Sequence, residues 1–295
     1  MPHTVMDKVK MLNLIASALY HSSPIEIIQR VIWTLTFAGQ LVLLVVLLGR
    51  GRAQRFPFFT ASIGLLALRL ILEVLLSGRM AQLPLQTTLL TFSNISVIVS
   101  LLVLVELARR GFVGLHRPLW IVNSVGLVLL AGGMLAEWGP WPKWSSLATD
   151  TVVGKLRLAQ LVAQKGDLFV AALTVGLGVL ILVFGRQFKA GWRSHTQSIT
   201  IGLAVAAASL LALQVYILRM QAVVQQIIQA QQPNGRQEYQ RIVSQAGTLV
   251  TIHQALFVAV LIWWIVWMWL DEPGAAEQSQ ATPDSTPNQE PPQAA

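Results

Sequence analysis

The chain has 295 residues, of which 54% are hydrophobic and 12% charged, about half the charged share of an ordinary soluble domain. A mean hydropathy of +0.61 and apolar blocks of about twenty residues, the length a bilayer demands, exclude a soluble globular fold. The net charge of +8 does not point to nucleic acid, because the basic residues sit in short clusters between apolar blocks, where the positive-inside rule places them.

Cysteine is absent, which removes disulfides, thiolate metal sites and thiol chemistry. Residues 1–30 read as an interfacial amphipathic helix, with Val5, Val9, Leu12 and Leu19 near one face. A signal peptide fits less well. The apolar run before Ala16-Ser17-Ala18 is only about six residues and includes Asn13, shorter than an ordinary h-region.

Seven spans are expected over residues 31–270. The first, Val31 to Leu48, is entered through Trp33 and closed by the basic run GRGRAQR. The second, Phe58 to Met80, follows Pro57 and carries Arg69 and Glu73 near its middle. An i,i+4 spacing lets those two pair on one helical face. Charge at that depth costs roughly 2.5–3.5 kcal/mol on insertion scales, so it should face protein or water. The third span, from about Gln86 to Leu107, passes Ser93, Asn94, Ser96 and Ser100 and ends with Glu106 before Arg109-Arg110.

The fourth span, Leu119 to Leu135, runs into EWGPWPKW, a mixture of Trp and Pro typical of an interfacial loop. Residues 145–160 continue as a helical extension into the fifth, about Leu161 to Phe184, with Lys165 and Asp167 at its entrance. The sixth, Ile199 to Leu218, contains GLAVAAASLLALQ, whose small residues permit close helix packing. A polar helical arm follows it, turning at Pro233–Gly235 into a second arm. The seventh span, Leu249 to Leu270, ends in the aromatic belt WWIVWMW. Residues 271–295 then carry five acidic residues and no basic one, a composition read as a disordered tail.

Arg50, Arg52 and Arg55, then Arg109, Arg110 and Arg117, then Arg186, Lys189 and Arg193 mark the odd loops as basic. That asymmetry places those loops and the C-terminal tail in the cytoplasm and the N-terminus outside. The expected fold is therefore an all-α polytopic bundle of seven transmembrane helices, N-out and C-in, with extramembrane helical extensions. On that orientation Arg69, Glu73, Asn94, Lys165, Asp167, Gln214 and His253 fall in the middle to outer part of the bundle, whereas the inner halves look mostly apolar. Converging, they would line an outward-facing pocket for a small polar ligand.

Plainer readings exist for each. Arg69 and Glu73 can form an internal salt bridge that sets helix register. Lys165, Asp167 and Arg219 can snorkel to the interface. A lone His253 is more often a hydrogen-bonded packing residue than a ligand, and Glu106 pairs most simply with Arg109 or Arg110.

Several chemistries are disfavoured. The last span has no lysine for a retinal Schiff base, and His253 is the sole histidine within a span, too few for axial haem pairs. Neither H-E-x-x-H nor G-x-S-x-G occurs. Asp167 lacks a second intramembrane aspartate for a protease dyad. No enzyme, cofactor or metal site is expected, and lipid is the expected surroundings.

The run GRGRAQRFPFFTASIGLLALRLI, with VELARRGF at 105–112 and FGRQFKAGW at 184–192, resembles uncharacterised seven-helix integral membrane proteins of acidobacteria. In those proteins a basic loop leads into a proline-aromatic start of the second helix, and an arginine often stands where Arg69 does. Phe56 and Thr60 stand in place of the more usual tyrosines. The resemblance spans about residues 30–220 and implies a seven-helix bundle in a bacterial inner membrane, but no activity. Polar placement then favours a membrane sensor or binding protein, signalling to a cytoplasmic partner through the basic loops or the acidic tail. A transporter or channel and a purely structural or assembly role are the alternatives.

Overall fold

The computed structural model describes residues 23–76, 79–111, 117–137, 152–184, 194–230 and 235–270. The interfacial helix expected before residue 23, the EWGPWPKW loop and the acidic tail lie outside the described residues. Among these residues the protein is entirely helical: α1 Ser23–Gly49, α2 Arg52–Arg55, α3 Pro57–Leu76, α4 Gln82–Gly111, α5 Arg117–Glu137, α6 Val152–Phe184, α7 His195–Ala230 and α8 Gly235–Trp269. Six contain stretches long and apolar enough to cross a membrane: Ile28–Gly49, Pro57–Leu76, Leu83–Gly111, Gly154–Val183, His195–Met220 and Gln237–Trp269. The protein is a polytopic helical membrane protein. The fourth expected span corresponds to α5, which carries a shorter apolar stretch, Ser124–Glu137.

Several helices run past the expected spans. Residues 23–30 are helical and continuous with the first span in α1. The polar arms after the sixth span and before the seventh are continuous with those spans, as α7 and α8. Polar residues keep helical backbone where propensity is adequate and the first or last turns leave the apolar layer.

Local chemistry sets the starts. Gly51 takes φ 65° in the turn between α1 and α2, a conformation that glycine adopts without penalty. Pro57 opens α3, where its missing N–H is no loss. Ser194, His195, Thr196 and Gln197 form the S-x-x-Q pattern of a capping box, and the Gln197 N–H donates to Ser194 Oγ at 3.2 Å.

The long helices form a closed ring in the order α1, α3, α4, α6, α7, α8 and back to α1, with α5 outside it against α6. One end of the ring carries the arginines of the α1–α2 turn and of the α4 terminus and is here called the basic end. Trp264 stands near it, fully buried, with its edge on the Phe59 ring at 5.1 Å. Its Nε1 donates to Ser198 O at 3.2 Å. Around them Leu43, Leu107, Leu177, Ile181 and Ile199 complete a dry core. The outward faces expose Val45, Val74, Leu129, Leu130 and Val183, apolar as lipid contact requires.

Close approaches occur where glycine faces a neighbour. A Cβ at Gly178 on α6 would overlap Ala204 Cβ on α7, whereas one at Gly176 would meet the mobile tip of Leu127 on α5. Gly178→Ala is therefore expected to lower stability by about 1–3 kcal/mol, since two short, rigid side chains cannot both fit. Gly176→Ala should be neutral or mildly stabilising, because alanine favours helix by about 1 kcal/mol over glycine. Parallel thermal unfolding of the two variants in detergent would show it; equal losses would contradict this packing.

Candidate functional site

Helix register places the polar groups expected from sequence. The backbone N–H of Phe59 donates to Glu106 Oε2 at 3.2 Å, which sets α3 against α4. Roughly ten residues, about 15 Å, further along each helix, Arg69 lies level with Ser96. The side chain of Val97 packs where a Gly166 Cβ would stand, which brings Lys165 and Asp167 to the same level. Gly178 against Ala204, followed roughly ten residues along each helix, adds Gln214. Four helices thus contribute to one polar band towards the end opposite the arginines.

Within the band Arg69 is half-buried and Glu73 exposed. No ion pair within 4.0 Å joins them, so the internal salt bridge suggested by their spacing is not formed. Arg69 instead acts electrostatically on Asp167, two helices away around the ring. Asp167 is exposed, though protein surrounds much of it. Lys165 and Gln214 are half-buried at about the same level.

The other two expected residues are satisfied internally. Asn94 Nδ2 donates to Leu90 O at 2.9 Å within α4 and to Ala159 O at 3.3 Å on α6, tying these helices together. His253 Nδ1 lies 2.7 Å from Ser209 Oγ, linking α8 to α7. That histidine is a hydrogen-bonded packing residue, the plainer of its two readings. Nearer the far end, Tyr216 OH donates to Gln245 Oε1 at 2.9 Å, a second polar link between α7 and α8.

The basic end holds what sequence reasoning missed. Its helices are less apolar than they read: His195, Thr196, Gln197, Ser198 and Thr200 are all buried. These residues form the first turns of α7, where free N–H groups need partners. Thr200 Oγ1 returns its hydrogen bond to Thr196 O at 2.8 Å. The S-x-x-Q pattern was the available signal.

Glu106 was legible as an arginine partner, and its Oε1 does lie 3.9 Å from Arg110. Its second role was not legible. The carboxylate caps the third residue of α3 from a different helix, satisfying an orphan donor where the helix dipole favours negative charge. Nothing in local sequence pairs Glu106 with Phe59, because the contact is tertiary.

Among the described residues, no cluster of three or more His, Asp or Glu side chains could hold a metal ion. The chain matches no protein-family model, no curated protein and no solved structure. Its own geometry is the basis for function.

Proposed function

We propose that this is a membrane sensor or binding protein that takes a small polar ligand in a concavity at the end opposite the arginines. The observation that carries this is the asymmetry of the core. The large buried apolar side chains cluster in the basic half. At the level of Arg69 and Asp167 the buried apolar residues shrink to Ala67, Val97, Ala163 and Leu213. A guanidinium without a contact ion pair at membrane depth, within electrostatic reach of an exposed carboxylate, is an arrangement that a ligand can complete. Arg69 would supply the fixed positive charge and Asp167 the opposing one, in place of Glu73. Lys165 and Gln214 would line the same level.

Topology supports seven crossings within this proposal. Gly111 meets Ile181 and Gly166 meets Val97, so α4 and α6 run in the same direction. The chain between them must return across the bundle, and α5, 21 residues long, would span about 31 Å, enough for the hydrocarbon core. With α5 counted, α1 and α8 both run towards the basic end. If that end faces the cytoplasm, as the positive-inside rule directs, the N-terminus is outside and the C-terminus inside a bacterial inner membrane. The kinship with acidobacterial seven-helix proteins belongs to the same proposal.

The test is thermal unfolding of detergent-purified wild type, Arg69→Met, Asp167→Asn and Glu73→Gln with panels of small carboxylates, amino acids and sugars. A ligand at about a hundred times its dissociation constant adds about 2.7 kcal/mol to the native state. The wild type and Glu73→Gln should show the shift; Arg69→Met and Asp167→Asn should lose it. A second reading, a structural bundle with no ligand, draws on the internal satisfaction of Asn94 and His253. Unchanged ligand responses across all four proteins, with only lower midpoints in the variants, would favour it.

A further inference from the structure

The first helix carries a buried polar side chain that the fold leaves unanswered. Gln40 is 2% exposed, and its Oε1 has no hydrogen-bond partner. It lies one turn from Leu43 and two from Leu47, both fully buried, on the inward stripe of α1. Leu43 is the last α1 member of the dry core towards the far end, so Gln40 stands where that core stops. Leu44 meets the Cβ position of Gly64. One further turn along each helix brings Gln40 opposite Leu68, next to Arg69. Gln40 is thus a polar floor between the dry core and the polar band.

Across the ring, α6 buries Ala163 and Ala171 on one stripe, whereas Asp167, one turn from each, is exposed. The ionisable groups of the band are Arg69 and Lys165, positive, and Glu73 and Asp167, negative, so its formal charge is zero. Arg69 and Asp167 are within electrostatic reach, yet no ion pair within 4.0 Å joins them. A ligand of one net charge would leave that charge unbalanced at membrane depth, where the medium screens it poorly. One carrying both signs keeps the band neutral and answers both protein charges.

We propose that the ligand is a small zwitterion of the amino-acid class, its carboxylate on Arg69, its ammonium on Asp167 and a polar side chain directed to the Gln40 amide. This rests on the ligand-binding reading above and names its substrate class. An amide both donates and accepts, so Gln40 suits a hydroxyl or amide side chain. Such a partner removes the cost of a buried, unpaired acceptor.

Thermal unfolding in detergent with serine, threonine, asparagine and glutamine tests this. At least one should raise the wild-type midpoint. Its two single-charge analogues, the amine without the carboxylate and the acid without the ammonium, should need roughly 10–100-fold higher concentrations for the same shift. For serine these are ethanolamine and 3-hydroxypropionate. Asp167→Asn leaves the band one positive charge in excess and should turn the preference to the acid; Arg69→Met should turn it to the amine. Charges that merely hold the bundle together would show no such exchange. Gln40→Leu replaces the unpaired amide with an apolar side chain of similar size, so its ligand-free midpoint should equal or exceed that of the wild type. Its affinity for the amino acid should fall about fivefold, the scale of one neutral hydrogen bond. Unaltered affinity in Gln40→Leu, or single-charge analogues that bind as tightly as the amino acid, would overturn the proposal. A shift with carboxylates or sugars and none with the amino acids would overturn it and leave ligand binding standing. No shift with any of these compounds would remove both.

Discussion

Truncating Trp264 to alanine is expected to destabilise the bundle by about 3 kcal/mol, the lower end of the range for tryptophan-to-alanine core truncations. Lipid chains are as apolar as the core, so helix association draws on packing and hydrogen bonds more than on escape from water. Trp264 supplies both. Its ring packs edge-on against Phe59, and its Nε1 holds Ser198 O in the first turn of α7. Its surroundings are shaped for it: a Cβ on Gly202 would run into the indole. Alanine would leave a void among Phe59, Ile199 and Leu261 and remove the second hydrogen bond to the Ser198 carbonyl. Trp263, adjacent in sequence, is 44% exposed, and Trp263→Ala should change stability by no more than about 0.5 kcal/mol, as for surface substitutions generally. Unfolding in a denaturing detergent titration would compare the two, and equal losses would remove Trp264 from the centre of the core.

Glu106→Ala is expected to cost about 1–3 kcal/mol, the scale of leaving a buried donor without its acceptor, because the Arg110 left behind is exposed and still donates to Arg55 O. The substitution deprives Arg110 of its carboxylate and leaves the Phe59 N–H at the start of α3 without an acceptor. Glu106→Gln keeps an amide oxygen for that N–H while removing the charge. It should retain most of the stability lost by alanine, falling short by about 1 kcal/mol for the weaker neutral hydrogen bond. The two variants separate capping from ion pairing. If glutamine proves as damaging as alanine, the charge and not the cap holds this end.

The spans were legible because a bilayer imposes a length and an apolarity that can be read off the chain, as in Pro57–Leu76 and His195–Met220. Basic clusters marked which helix ends would gather, and Arg50, Arg52, Arg55 and Arg110 do share one surface. Helical spacing was a poorer guide to partners. It brought Arg69 and Glu73 to one face, but Glu73 is exposed and forms no ion pair with it, and Asp167 on another helix is the carboxylate that feels Arg69. His253 could be weighed only as a type of residue until Ser209 appeared beside it. The buried hydroxyls of α7 were hidden for the opposite reason. A Thr or Ser that bonds its own helix, as Thr200 does, looks like any polar interruption until its neighbours are known.

Ring closure has a consequence for biogenesis. Leu261 of α8 fills the space over Gly39 of α1, so the first helix made has its second neighbour only when the last is complete. At translation rates of about 5–20 residues per second, that interval is roughly 10–45 s. During it the groove on α1 faces lipid or a chaperone, with Gly39 and Gln40 at its surface. Among the described helices, the ring can therefore close only after α8 has been made.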